Sequence, residues 1–222
     1  MNISVFDIIG PVMVGPSSSH TAGACRIGNL AREIVGKNIK KALIYLHGSF
    51  KETYKGHGTD KAIIGGLLGF ATDNYNIKNS FEIAKENNFE YEFIPIDLED
   101  VHPNTVKLEL FSDDGEKTTI RGASVGGGNI IINEINEINV DLRGQFYTLI
   151  TTHKDKPGMI AKISLILQQF EINIANMHVL RDHKEGFATA IIELDQNLEE
   201  IVIELLKKTP EIKSVRLVKP IL

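Results

Sequence analysis

The chain reads as an α+β protein of two domains, residues 1–142 and 146–222, and three observations carry that reading. Its 222 residues exceed one minimal domain and suffice for two modest ones. From Phe146 onward, strand-like and helix-like segments follow the order βαββαβ. Ahead of that point the segments mix without such regularity, as a mixed α/β region does.

In the C-terminal part, Phe146 to Thr152 is rich in aromatic and β-branched residues and predicts a strand. Lys156-Pro157-Gly158 is a turn opening a helix, in which Met159, Ile160, Ile163, Ile166, Leu167 and Phe170 recur at helical spacing. Ile172 to Leu180 predicts a second strand, Arg181 to Gly186 a turn, and Phe187 to Leu194 a third strand. Leu198 to Lys207 carries the helical stripe Leu198, Ile201, Val202, Leu205 and Leu206, and Ile212 to Val218 closes the region as a fourth strand. That order is the ferredoxin-like split βαβ arrangement.

In the N-terminal part, Ala22 to Val35 has Ile27, Leu30, Ala31 and Ile34 on one helical face. Ala42 to Leu46 predicts a strand. Thr59 to Phe70 predicts a helix with Thr59 as its cap and Asp60 near its positive end. Gly65, Gly66 and Gly69 cost helix stability there and make sense where another backbone packs closely. Phe81 to Asn87 reads as a short helix; Phe89 to Ile96, Thr105 to Phe111 and Lys117 to Ser124 read as strands, the last two joined by Asp113-Asp114-Gly115. A patterned run from Ile131 to Val140 follows, and Asp141, Leu142, Arg143 and Gly144 are polar or flexible enough to link the domains.

Composition bounds the function. Net charge is −5, with no Lys/Arg cluster, which argues against a nucleic-acid partner. No apolar run has transmembrane length and no signal peptide is evident, so the expectation is a cytoplasmic protein with no membrane association. The single cysteine, Cys25, excludes an internal disulfide framework and cannot by itself ligate an iron–sulfur cluster.

Four motifs carry chemistry. Gly15-Pro16-Ser17-Ser18-Ser19-His20-Thr21 places hydroxyls and an imidazole at a helix start, where hydroxyls and first-turn amides grip a carboxylate or phosphate. Helix capping is the plain alternative, yet three serines exceed what one cap needs. Lys55-Gly56-His57-Gly58-Thr59-Asp60 sets a histidine between glycines, either as an accessible ligand-facing group or as a flexible surface loop. His102-Pro103-Asn104-Thr105 reads as the start of a strand. Ser124-Val125-Gly126-Gly127-Gly128-Asn129 reads as a chain reversal or an anion nest and lacks nucleotide-binding spacing. Cys25 reads as a buried structural thiol.

Together these motifs resemble the β chain of bacterial iron–sulfur-dependent L-serine dehydratase, in the form whose α and β chains are separate polypeptides. Residues 146–218 resemble an ACT domain, and the N-terminal fold resembles the extra substrate-binding domain of long D-3-phosphoglycerate dehydrogenases. The resemblance implies conversion of L-serine to pyruvate and ammonia. It implies a [4Fe–4S] cluster acting as Lewis acid on the serine hydroxyl, ligated by the α subunit and with no metal ligand in this chain. His20 corresponds to the base that removes the α-proton; Ser17, Ser18, Ser19 and Thr21 correspond to the carboxylate cradle; His57, Thr59 and Asp60 line the cleft shared with the α chain. In the ACT part, His153, Asp155, Gly158 and Asn173 correspond to an effector site. Asp155 departs from the asparagine of serine-binding ACT domains, and ACT-mediated dimerisation alone is the other role open to that domain. Two rival readings stand beside this one: a non-catalytic amino-acid sensor, and a histidine metal hydrolase, which His20 and His57 support poorly because they are not in a close ligand motif and no acidic pair sits near enough to complete one.

Overall fold

The structure is a computed structural model and describes residues 10–181 and 183–221. The chain divides into two compact units with the boundary between Arg143 and Gly144.

The first unit begins with a π-helical turn, Ser18–Gly23, which runs into α1 (Ala24–Val35). Then come β1 (Ile39–Leu46), α2 (Gly48–His57), α3 (Thr59–Leu67), a 3₁₀ turn (Tyr75–Asn79) and α4 (Ser80–Glu86). Five strands follow: β2 (Glu90–Pro95), β3 (Thr105–Ser112), β4 (Lys117–Gly126), β5 (Asn129–Ile135) and β6 (Ile138–Leu142). With β1 they form a six-stranded sheet in the order β2-β1-β3-β4-β5-β6. Among the described residues only β1 and β2 pair in parallel, and parallel neighbours need a crossover; α2, α3 and α4 supply it. The apolar stripe of α1 is buried to 2% exposure or less at Ile27, Leu30, Ala31 and Ile34. α1 and α3 pack backbone against backbone: a Cβ at Gly66 would lie 2.0 Å from the Cys25 carbonyl oxygen, and one at Gly28 would lie 2.5 Å from that of Ile63. The glycines that weaken α3 on its own are what let it sit there.

Three expectations need correction. Residues 55–57 are not a loop but the last turn of α2. That helix has a single buried residue, Phe50, so its sequence shows no periodic stripe. Asp141 and Leu142 do not link the units; they belong to β6, with Leu142 at 3% exposure, paired to β5 through a hairpin whose Asn136 and Glu137 take φ of 48° and 66°. Thr59 does not cap α3: the cap position is Gly58, and the Thr59 hydroxyl is buried without a partner.

The second unit contains β7 (Tyr147–Lys154), α5 (Met159–Gln169), β8 (Ile174–Arg181), β9 (Phe187–Leu194), α6 (Glu200–Lys208) and β10 (Ile212–Val218). Its antiparallel sheet has the order β10-β7-β9-β8, the pairing expected of the ferredoxin-like arrangement. Leu149, Ala190, Ile192 and Leu194 from the sheet pack with Ile163 and Leu167 of α5 and Val202 and Leu206 of α6 in one apolar core. Among the described residues, no helix is long and apolar enough to cross a membrane.

Candidate active site

The first two motifs of the first unit meet at the imidazole of His20. Ser17 is extended (φ −140°, ψ 126°) and caps the π-helical turn, its Oγ accepting the His20 amide at 3.1 Å. Its carbonyl accepts from Thr21 and also from Ala22, the extra-residue register of a π turn, a feature frequent at functional sites. His20 therefore leaves the turn between two hydroxyls. Ser19 Oγ lies 3.1 Å from Nδ1 and Ser49 Oγ lies 2.8 Å from Nε2. Phe50 meets the ring edge-on at 5.3 Å. Burial holds the His20 pKa below its ordinary value, and the nearby His57 lowers it further.

The second motif arrives from the end of α2. The His57 ring lies 4.9 Å from that of His20, and its Nδ1 is buried without a hydrogen-bond partner. The Thr21 hydroxyl donates to the His57 carbonyl at 3.0 Å, so it is a strut between the two motifs. Asp60 accepts the Lys61 amide at 2.8 Å, and burial raises its pKa. Thr21, His57 and Asp60 line a cleft of about 280 Å³ together with Lys55, Lys61 and Lys78. Ser17, Ser18, Ser19 and His20 are not part of that lining. Of the cradle residues, Thr21 alone shares that cleft with His57 and Asp60. Ser18 is half-buried against Gly10, where a Cβ would lie 3.0 Å from Ser18 Cβ.

The other two motifs frame this arrangement. Pro103 O accepts the Ser49 amide at 2.9 Å, Thr105 O accepts that of His47 at 3.1 Å, and Asn104 O accepts that of Ser124 at 3.0 Å. Ser124 in turn faces the turn preceding α1, where a Cβ at Gly23 would lie 2.1 Å from its Oγ. Gly127 and Gly128, with φ of 62° and 80°, make the two-residue reversal between β4 and β5. Arg26 Nη1 pins that reversal by donating to Gly128 O at 2.7 Å. Ser49 was not among the residues the sequence singled out. Its only signal there is a Gly-Ser pair just after a strand, a common helix start.

In the ACT-like unit Asn173 lies apart from the other three expected effector residues. His153 is 2% exposed, its Nδ1 has no partner, and burial lowers its pKa against the opposing pull of Asp155. Asp155 accepts from Arg181 Nη1 at 3.1 Å, and Gly158 (φ 88°) precedes α5 close by in sequence. Asn173 is exposed and donates to Asp195 at 2.5 Å. His153 pairs with Ala188, whereas Ile174, next to Asn173, pairs with Leu194. Six residues of strand put the two about 20 Å apart.

Both units resemble known protein families. Residues 4–94 match the serine dehydratase beta chain model, and residues 147–211 match the ACT domain model. The chain is 46% identical over 212 residues to the probable L-serine dehydratase, beta chain, of Bacillus subtilis (strain 168), covering 96% of each chain. It is 42% identical over 198 residues to the L-serine dehydratase, beta chain, of Peptoniphilus asaccharolyticus, covering 89% of each. It is also 27% identical to the D-3-phosphoglycerate dehydrogenase of Bacillus subtilis (strain 168) over 88% of this chain and 37% of that one, the likeness expected for its N-terminal fold. With identity above 40% and near-complete mutual coverage, the chain belongs to the serine dehydratase beta chain family and carries a C-terminal ACT domain.

Proposed function

We propose that this chain is the β subunit of an L-serine ammonia-lyase, which converts L-serine to pyruvate and ammonia, and that it holds the substrate at a site completed by a separate α subunit. The carrying observation is the gripped His20 imidazole among serine hydroxyls, in a chain that matches a relative named L-serine dehydratase, beta chain, along 96% of its length. In this reading the hydroxyls of Ser17, Ser18 and Ser19 receive the substrate carboxylate, and Thr21 holds the second motif in place. His20, whose pKa burial lowers, takes the α-proton; the electron pair of the broken C–H bond forms the Cα–Cβ double bond as the C–O bond to the β-hydroxyl breaks, and that hydroxyl leaves with the proton from His20 as water. The enamine so formed rearranges and hydrolyses to pyruvate and ammonia.

His57 is the second candidate for the base, because its Nδ1 has no partner and it lies in van der Waals range of His20. Asp60 and Thr59 stand behind it at the start of α3.

Cys25 does not fit as a cluster ligand. It is 1% exposed, its Sγ donates to Phe70 O at 3.3 Å, and burial pushes its thiol pKa up to about 12, whereas a [4Fe–4S] cluster takes several thiolates. Among the described residues, no group of three or more His, Cys, Asp or Glu side chains is placed to hold a metal ion. The reading therefore assigns the cluster to the α subunit. Pairing of two ACT domains belongs to it as well, since β8 is an edge strand and one chain alone does not bring His153 and Asn173 together.

The test is reconstitution. The purified chain is expected to be inactive, and anaerobic production with its α partner is expected to give a complex that contains iron and sulfide and releases pyruvate from L-serine. Turnover by the isolated chain overturns the reading. Tight calorimetric binding of serine to the isolated chain does so too, in favour of an amino-acid sensor.

A further inference from the structure

A neutral imidazole has one N–H and one lone pair, so of the two hydroxyls on His20 one accepts and the other donates. Ser19 Oγ is also 3.3 Å from Ser17 Oγ, so Ser17, Ser19, the imidazole and Ser49 form one continuous polar chain. The direction of that chain decides which ring nitrogen has the lone pair.

Ser49 reaches the ring from a different element than the other hydroxyls, and its backbone is fixed. Its amide donates to Pro103 O at 2.9 Å, and Thr53 Oγ1 donates to its carbonyl at 2.7 Å. Gly48 has φ +54°, and a Cβ there would lie 2.5 Å from Pro103 O, so only glycine passes at that point. The next residue, Phe50, is fully buried and packs edge-on to His20. Ser49 Oγ is thus delivered to Nε2 by rigid backbone, on the far side of the ring from the cradle serines.

We infer that Ser49 is a positioning residue for His20: its hydroxyl accepts from Nε2–H, which fixes the tautomer and leaves the Nδ1 lone pair facing the cradle. The catalytic half of this inference rests on the dehydratase reading; the tautomer half does not. When the α-proton moves to Nδ1, the C–H bond breaks, an N–H bond forms, and the resulting imidazolium keeps its Nε2–H on Ser49. The arrangement also gives the His102–Thr105 motif a task, because its Pro103 carbonyl anchors the residue that orients the imidazole.

The experiment has two arms. In the ¹⁵N-labelled full-length chain, the His20 ring nitrogens are expected to report one dominant tautomer, protonated at Nε2. Ser49→Ala is expected to turn this into a mixture, and Ser49→Thr to restore it. In the α/β complex, Ser49→Ala is expected to lower kcat roughly tenfold, with the serine KM little changed and Ser49→Thr recovering most of the rate. Ring signals unaltered by Ser49→Ala overturn the inference. A changed tautomer with unchanged kcat overturns its catalytic half. A wild-type complex that does not act on serine refutes the function, while the ring spectra still decide the tautomer.

Discussion

Thr21 Oγ1 donates to the carbonyl oxygen of His57 at 3.0 Å, so a half-buried side-chain bond ties the first motif to the second. Thr21 is 3% exposed, and no solvent molecule readily replaces its hydroxyl. Thr21→Val keeps the shape and removes the donor. The expected cost is about 0.5–1.5 kcal/mol, because the His57 carbonyl loses its partner. It should appear as a lower urea midpoint with an unchanged m-value. Turnover of the α/β complex should fall as well, since the same bond sets the 4.9 Å spacing of the His20 and His57 rings.

His20→Ala in the complex should lower kcat by about 10²–10⁴-fold, the range for removing a general base, with a much smaller change in the serine KM. His57→Ala is the informative companion, because His57 Nδ1 is unpartnered whereas both His20 nitrogens already meet hydroxyls. Steady-state kinetics on both variants decides the role. If His57→Ala alone abolishes turnover and His20→Ala spares it, His20 is not the base.

Acidity gives a further prediction. Burial lowers the pKa of His20 from 6.5, with His57 as the second cause, and burial lowers that of His153 from the same value. Each is then harder to protonate in the folded chain than in the unfolded one. Below about pH 6.5 the unfolded state binds more protons, so stability is full above that value and declines as pH falls through the folded pKa values. The urea midpoint should drop on acidification below pH 6.5, and His153→Gln should flatten part of that drop. The acid limb of kcat/KM should lie below pH 6.5 if His20 is the base. An acid limb above that value contradicts the assignment.

The second unit was legible to within a residue or two at each element because its strands and helices have strong, separate periods. Phe187–Leu194 and Ile212–Val218 coincide with β9 and β10. The first unit was less so where packing, not pattern, makes the element. α2 buries only Phe50, and Leu142 is buried on an edge strand that looks like a linker. Of the candidate site, the sequence supplied His20, the serines and His57. It did not supply Ser49, which reaches His20 across 29 positions through a turn anchored by Pro103. Nor did it separate His153 from Asn173, because distance along a sheet depends on register and not on sequence spacing.

Two glycines in neighbouring helices make opposite predictions. Gly66 in α3 faces α1 so closely that a Cβ would lie 2.0 Å from the Cys25 carbonyl oxygen and 2.8 Å from the Asn29 amide nitrogen. Both obstacles are backbone, so relief requires the helices to part, and Gly66→Ala should cost about 3 kcal/mol or more. Gly56 lies within α2, its φ is not positive, and a Cβ there would meet nothing within 4 Å. Gly56→Ala should therefore stabilise the chain by about 0.5–1 kcal/mol, through reduced freedom of the unfolded state and better helix propensity. Urea denaturation of the two variants beside the wild type measures both. Equal effects of the same sign would mean that α1 and α3 do not approach as closely as the Gly66–Cys25 contact requires.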